Sequence, residues 1–152
     1  MAQEPLNEKD AIGMLNQILE LELAGVVRYL HYSLMVFGHA RIPIVAWMRQ
    51  QAQEAMSHAA QAGEHITTFG GHPSLKIGKL LETQRHDIDE ILKESIEHEQ
   101  EGIQYYRKLL AVVEGRDMML EEYARRMLHD EEVHLSEIRK MLRRPGKLNE
   151  TR

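Results

Sequence analysis

The sequence predicts an all-α fold, a four-helix bundle with a long crossover between the second and third helices. Residues that favour helices dominate the 152-residue chain, which contains only four prolines and few aromatic residues. Apolar residues recur at spacings of three and four in four segments, as on the buried face of a helix. The first and last connections are short and therefore join antiparallel neighbours, whereas the middle connection is long.

The composition of the chain narrows the classes of function open to it. The formal net charge is −5, with acidic and basic residues interleaved, so we expect no nucleic-acid partner. The absence of cysteine excludes disulfides, thiolate zinc sites, iron–sulfur clusters and thiol catalysis. No apolar run resembles a secretion signal or is long enough to span a bilayer. We therefore expect one domain over residues 1–152, with no membrane association and a cytoplasmic location.

The first helix is predicted over about residues 8–37. Glu22 falls in the middle of its apolar face, where a carboxylate is costly unless a positive charge meets it. The other positions of this face are apolar or small: Ile12, Leu15, Leu19, Val26, Tyr29 and Ser33.

The second helix is predicted over about residues 43–69, with Pro43 in its first turn, where a missing amide proton costs nothing. The apolar face of this helix is rich in alanine, which would let a neighbouring backbone approach closely. His58 lies on the flank of that face. Glu54 lies four residues earlier, on the same side of the helix.

The segment Gly-Gly-His-Pro-Ser at residues 70–74 ends this helix, and irregular chain is predicted to continue to about Leu81. Roughly twelve extended residues span about 40 Å, which is the length of a helix of about 27 residues. The connection can therefore run the length of the bundle and leave the second and third helices parallel.

The third helix is predicted over about residues 82–113 and the fourth over about 117–144. Gly115 suits the end of the third helix, and Asp117 suits the N-cap of the fourth. Glu99 interrupts the apolar face of the third helix, as Glu131 and His134 interrupt that of the fourth. Residues 145–152 are predicted to form a tail without a helix.

Polar side chains thus fall near the midpoints of all four predicted helices. They are Glu22, Glu54, His58, Glu99, Glu131 and His134. Since the midpoints of long helices share one layer of a bundle, we expect these side chains to converge. Four carboxylates and two imidazoles suit iron or manganese and, less well, zinc. So many carboxylates in a small volume predict two divalent ions bridged by some of them.

Five short blocks of sequence carry a resemblance to a known family. They are Glu-Leu at 22–23, Tyr-Leu-His at 29–31, Met-Ser-His-Ala at 56–59, Glu-Gln-Glu-Gly at 99–102, and Arg-Asp-Met-Met at 116–119 leading to Asp-Glu-Glu-Val-His at 130–134. One Glu on each of two helices, with Glu-x-x-His on the other two, is the pattern of ferritin-like di-iron proteins. The chain up to about Arg144 resembles that family, and the bacterioferritins above all.

The resemblance implies that the family's di-iron ligands are Glu22, His58, Glu99, Glu131 and His134 here. One position departs from the family, because Ala55 stands where a Glu precedes the second-helix His by three residues. Glu54 is the adjacent carboxylate and is the candidate sixth ligand. Its side chain points about 100° from the centre of the apolar face, so its role as a ligand stays open.

Tyr29 and Met56 carry further parts of the resemblance. Tyr29 resembles the tyrosine beside the family's metal site, where it would assist catalysis, although core packing would explain it equally well. Met56 matches the methionine that binds haem b between two bacterioferritin subunits. It is predicted to face outward, against a partner; the alternative is ordinary packing in a dimer contact.

The resemblance implies an oxidoreductase, a ferroxidase that oxidises Fe(II) with oxygen or hydrogen peroxide, and iron storage if a shell forms. The family's short fifth helix has no counterpart in residues 145–152, so we expect a homo-oligomer, with a dimer favoured over a cage. The alternatives are a rubrerythrin-like or manganese catalase-like oxidase, or a non-catalytic haem- or metal-binding dimer. The remaining histidines are expected on the surface or in connections: His31, His39, His65, His72, His86, His98 and His129.

Overall fold

The computed structural model describes residues 3–151 and confirms the predicted all-α four-helix bundle. The helices are α1 (Glu8–Met35), α2 (Arg41–Thr68), α3 (Ile88–Val113) and α4 (Met118–Leu142). None of these helices has an apolar stretch long enough to cross a membrane. After α4, the described residues up to 151 contain no helix, and the backbone of Arg143 instead pairs with that of Thr151.

Side-chain caps define three of the helix starts. The carboxamide of Asn7 and the carboxylates of Asp87 and Asp117 accept hydrogen bonds from backbone amides in the first turns of α1, α3 and α4. Gly115 lies just beyond α3 with φ of 69°, a left-handed conformation that glycine adopts without steric cost. The predicted roles of Gly115 and Asp117 are therefore confirmed.

The third helix begins at Ile88, later than the predicted start near residue 82. The Glu82 carboxylate accepts a hydrogen bond from the Gln84 amide at 2.6 Å, and the Thr83 hydroxyl accepts one from the Arg85 amide at 3.4 Å. These local bonds satisfy backbone amides without a helix, and Gln84 has a φ of 59°, which a continuing helix would not allow. Helix α3 therefore begins only after the Asp87 cap.

The long crossover runs along α1 in the same direction as that helix. Successive crossover residues contact successive positions of α1, namely Ser74 with Asn16, Gly78 with Glu20, and Glu82 with His31. Helix α3 then returns antiparallel to α1, because Glu94 contacts Arg28 whereas Tyr106, further along α3, contacts Glu22. Since α2 is also antiparallel to α1, helices α2 and α3 are parallel, as the length of the crossover predicted.

Two apolar clusters fill the interior, one at each end of the bundle. One cluster includes Leu15, Ile66 and Leu120, and the other includes Met48, Leu92 and Ile138. All six side chains are essentially inaccessible to solvent. The layer between the clusters contains buried acidic residues, so the apolar packing at both ends has to hold an unfavourable polar layer in place.

Substitution of Leu15 by Ala tests the contribution of the first cluster. Leu15 is fully buried, so its truncation should lower the free energy of unfolding by about 2–5 kcal/mol. Leu148 is 82% exposed, and Leu148→Ala should change the same quantity by less than about 0.5 kcal/mol. Urea denaturation followed by circular dichroism measures both; equal effects would contradict this description of the core.

Candidate metal centre

Four buried side chains, one from each helix, meet in the layer between the apolar clusters. They are Glu22 of α1, His58 of α2, Glu99 of α3 and Glu131 of α4, and each is at most 8% exposed. Together with His134 they line one small internal cavity. The structure therefore brings together five of the residues that the sequence selected.

The first group of candidate ligands is Glu22, His58 and Glu131. The Nδ1 atom of His58 lies 3.5 Å from Oε1 of Glu22 and 3.4 Å from Oε1 of Glu131. One ligand atom from each of the three residues lies within 4.8 Å of the other two. Two carboxylates and one imidazole at this spacing can surround one divalent ion.

The second group is Glu99, Glu131 and His134, whose ligand atoms also lie within 4.8 Å of one another. Glu131 belongs to both groups. The imidazole rings of His58 and His134 are stacked with their centroids 6.3 Å apart. The arrangement is thus a pair of adjacent three-ligand sites that share one carboxylate.

Two tyrosines donate hydrogen bonds to carboxylates of the site. The Tyr106 hydroxyl donates a hydrogen bond to Oε1 of Glu22 at 2.8 Å, and the Tyr29 hydroxyl donates one to Oε1 of Glu99. Tyr29 lines the cavity, and its part in catalysis stays a prediction. Tyr106 was not among the predicted site residues, although its position seven residues after Glu99 places it on the same face of α3.

Burial dominates the electrostatics of the site. It raises the pKa values of Glu22, Glu99 and Glu131, and the charge of Glu131 raises that of Glu99 further. Burial alone would lower the pKa of His58, but hydrogen bonding to Glu131 and Glu22 outweighs it and raises this pKa to about 10. The protonated imidazole therefore offsets only part of the buried negative charge.

The Oε2 atom of Glu99 provides a direct test of whether the site suits a metal. It is buried and has no hydrogen-bond partner among residues 3–151. Leaving a buried carboxylate oxygen without a partner costs at least about 1–3 kcal/mol. A divalent cation among Glu99, Glu131 and His134 would satisfy it. Oxygen and nitrogen ligands of this kind suit iron or manganese, so the residues present fit such a metal.

Glu54 lies at the edge of the cavity and belongs to neither group of candidate ligands. Its Oε2 atom lies 2.8 Å from Nε2 of His134, and its Oε1 atom accepts a hydrogen bond from Gln50 at 3.3 Å. Ala55, which occupies the position of the family's ligand, is buried beside Gly25 of α1. Because Nε2 of His134 contacts Glu54, Nδ1 is the nitrogen of that ring left for a metal.

His98 was expected on the surface or in a connection, and that expectation is wrong. It is 6% exposed and lines the same cavity beside Tyr29. Burial, and then the charge of Arg28, lower its pKa to about 3, so the ring is neutral. Its position three residues after Ser95 and four before Gly102 could have revealed it, because all three share one helix face.

Met56 lies on the outside of α2, as predicted, and is 59% exposed. It borders a shallow apolar groove together with Val26 and Leu30 of α1. This groove is on the opposite side of α2 from His58.

A four-helix bundle with two adjacent carboxylate–histidine groups defines the class of ferritin-like proteins. Residues 12–147 match the family model described as the ferritin-like domain, and the chain belongs to that family. The observed helix order and the parallel pair α2 and α3 agree with the arrangement predicted from the lengths of the connections.

Sequence relatives come from two groups of ferritins. The chain is 30% identical over 131 residues to a bacterioferritin of Desulfovibrio desulfuricans, an alignment that covers 82% of this chain and 70% of that protein. It is 28% identical over 91 residues to the bacterial non-heme ferritin of Escherichia coli O157:H7. That alignment covers 60% of this chain and only 55% of the length of the relative.

Solved structures share the fold over nearly the whole chain. One is a ferritin-like di-iron-carboxylate protein from Bacillus anthracis, with a TM-score of 0.84 and 25% identity over 93% of this chain and 99% of that chain. Another is a bacterioferritin-related protein from Bacteroides fragilis, described as a dodecameric thioferritin. Its TM-score is 0.82 at 22% identity, covering 90% of this chain and 86% of that one.

The stability of the metal-free protein should fall as pH rises from about 6.5 to about 10. An ordinary histidine loses its proton near 6.5, whereas folded His58 keeps its proton up to about 10. The folded state therefore binds more protons than the unfolded state in this range, and the free energy of unfolding decreases with pH. The raised pKa values of the buried carboxylates also make the folded state bind more protons than the unfolded state, so they too lower the free energy of unfolding as pH rises.

Urea denaturation of metal-free protein at several pH values measures this slope. His58→Gln should reduce it, whereas substitution of the exposed His129 by Gln should leave it unchanged. A free energy of unfolding that increases over this range in the wild type would contradict the assignment.

Proposed function

We propose that this protein is a bacterioferritin-like ferroxidase that binds two Fe(II) ions in its core and oxidises them. The observation that carries the proposal is the pair of buried ligand groups joined through Glu131. A shared carboxylate is the usual means by which a protein holds two metal ions close enough to act together. The orphaned Oε2 atom of Glu99 supports the second position.

Each residue then has a defined part in binding the substrate iron. Glu22 and His58 would hold one ion, Glu99 and His134 would hold the other, and Glu131 would bridge them. Each Fe(II) gives up one electron. The two electrons, with two protons, reduce one oxygen molecule to hydrogen peroxide, or one hydrogen peroxide to two water molecules.

The tyrosines would fix the carboxylates in their binding orientations. Burial and the charge of Glu99 raise the pKa of Tyr29 well above its ordinary value, so its hydroxyl stays protonated and keeps donating to Glu99. That bond engages Oε1 of Glu99 and leaves Oε2 for the metal. Tyr106 would act on Glu22 in the same way.

Glu54 would orient His134 rather than bridge the two ions. A carboxylate that accepts a hydrogen bond from a ligating imidazole fixes its ring orientation and raises its basicity. The 2.8 Å contact between Glu54 and Nε2 of His134 has this form. With Ala55 at the family's ligand position, Glu131 would be the only bridging carboxylate, and oxidation should be slower than in a site with two.

A homo-oligomer would fit the relatives, one of which is described as a dodecamer. In this proposal the apolar groove beside Met56 faces a second subunit, where haem b could bind between paired methionines. If the assembly is closed, the ferric product would be stored as mineral in the cytoplasm. In a dimer the same site would serve to remove Fe(II) or peroxide.

A non-catalytic metal-binding protein is the second candidate, and Ala55 is the observation that favours it. Without the family's carboxylate at this position, the site has one bridging ligand fewer.

The donor set also suits manganese, as in a manganese catalase-like or rubrerythrin-like oxidase. Metal analysis of the purified protein separates the iron and manganese alternatives.

Anaerobic titration with Fe(II), followed by addition of oxygen, tests the ferroxidase proposal. Wild-type protein should saturate at two Fe(II) per chain and oxidise both. Glu131→Gln removes the shared ligand and should reduce Fe(II) affinity and oxidation rate at least about 10-fold. Glu132→Gln is the matched control, because Glu132 is exposed, contacts Arg107 at 3.1 Å and should bind iron like the wild type. Wild-type saturation at one ion or none would overturn the proposal.

The substitution Ala55→Glu tests whether the site is limited by its missing carboxylate. If Glu131 is the only bridge, the added carboxylate should increase the rate of Fe(II) oxidation several-fold. Glu54→Gln should be slower than the wild type, because His134 loses its orienting partner. An unchanged rate in Ala55→Glu would indicate that the wild-type ligand set is already complete.

A further inference from the structure

A second group of potential metal ligands lies on the surface, away from the buried centre. It consists of His31 near the end of α1, together with Glu82 and His86 in the last part of the crossover. No function was predicted from the sequence for His31 or His86. One ligand atom from each residue lies within 4.8 Å of the other two.

Both oxygens of the Glu82 carboxylate face an imidazole. Oε2 lies 2.8 Å from Nε2 of His31, and Oε1 lies 3.2 Å from Nε2 of His86. The ligands of a tetrahedral zinc ion, with bonds of about 2.0–2.1 Å, are about 3.4 Å from one another. In the structure one ligand atom from each of the three residues lies within 4.8 Å of the other two. Side-chain rotations would adjust these separations to those of a tetrahedral site and admit the ion.

The backbone of the crossover builds this arrangement. The Gln84 amide donates a hydrogen bond to Oε1 of Glu82 at 2.6 Å, which fixes the direction of the carboxylate. Gln84 has a positive φ, and the resulting turn returns the chain so that His86 lies beside Glu82. The three ligands thus come from two segments that are far apart in sequence but held in contact.

The neighbouring cations are already engaged elsewhere. The Arg28 guanidinium points inward, where it donates to the backbone carbonyl of Glu94 at 3.0 Å and to the Tyr32 hydroxyl at 3.2 Å. Arg85 lies 3.8 Å from the carboxylate of Glu90. Neither arginine contacts Glu82 in the part of the chain that the structure describes, so no guanidinium competes with a metal cation for its carboxylate.

We propose that His31, Glu82 and His86 form a surface site for one divalent transition-metal ion of the zinc type. Two imidazoles and a carboxylate are a known three-ligand set for zinc, with a water molecule as the fourth ligand. The partly exposed side chains leave room for that water. A bound ion would join the crossover to α1 immediately before α3 begins.

Zinc binding by four full-length proteins tests the proposal. Equilibrium dialysis against Zn²⁺ alone should show that His31→Gln and His86→Gln each bind one ion per chain at least about 10-fold more weakly than the wild type. The matched control is His129→Gln, since His129 is also exposed and lies 3.4 Å from a carboxylate, that of Asp130, but belongs to none of the three-ligand groups among the described residues. It should bind zinc like the wild type.

Glu131→Gln separates this site from the buried centre. It should weaken zinc binding in the core and retain the surface ion. Hydrogen exchange of residues 82–87 gives a second readout, because zinc should slow it in the wild type and in Glu131→Gln but not in His31→Gln. If either His31→Gln or His86→Gln binds zinc like the wild type, or if zinc leaves exchange in this segment unchanged, the three-residue site is wrong.

Discussion

The sharing of Glu131 between two ligand groups is the feature on which the rest of the structure depends. Its carboxylate lies near His58 on one side and near Glu99 and His134 on the other. Three buried glutamates in one layer repel one another, and burial opposes the ionisation of each. Such a layer is stable only if the surrounding structure holds it together and cations or protons offset its charge. Protons can do so in the metal-free protein, and two divalent ions would do so in the loaded protein.

The topology of the bundle determines how this layer is assembled. The long crossover places α3 antiparallel to α1. As a result, Glu99 and Glu22 lie in the same layer of the bundle, on helices that run in opposite directions. Glycines at two positions leave space for the side chains of this layer. At Gly102 an added Cβ would lie 3.4 Å from Oε2 of Glu131, and at Gly25 it would lie 2.8 Å from Nε2 of His98. A larger residue at Gly25 would therefore displace His98 from the wall of the cavity.

Much of this architecture could be predicted from periodicity, because interruptions of an apolar face are visible in sequence. Glu22, Glu99 and Glu131 each replace an apolar residue on such a face, and the structure brings them together. The burial of His98 was not predicted, because a histidine has no fixed preference for the surface or the core. The start of α3 was placed too early, because side chains such as Glu82 bind backbone amides in ways that helix propensity does not describe. The contact of Glu54 with His134 depends on side-chain conformation between two helices, which spacing along one helix does not determine.

The most direct test of the central claim is an anomalous diffraction measurement on crystals of the protein soaked anaerobically with Fe(II). Two iron peaks per chain, separated by about 3.5–4 Å with the Glu131 carboxylate between them, are the expected result. A single peak, or two peaks that do not share Glu131, would contradict the claim that this carboxylate joins two metal positions.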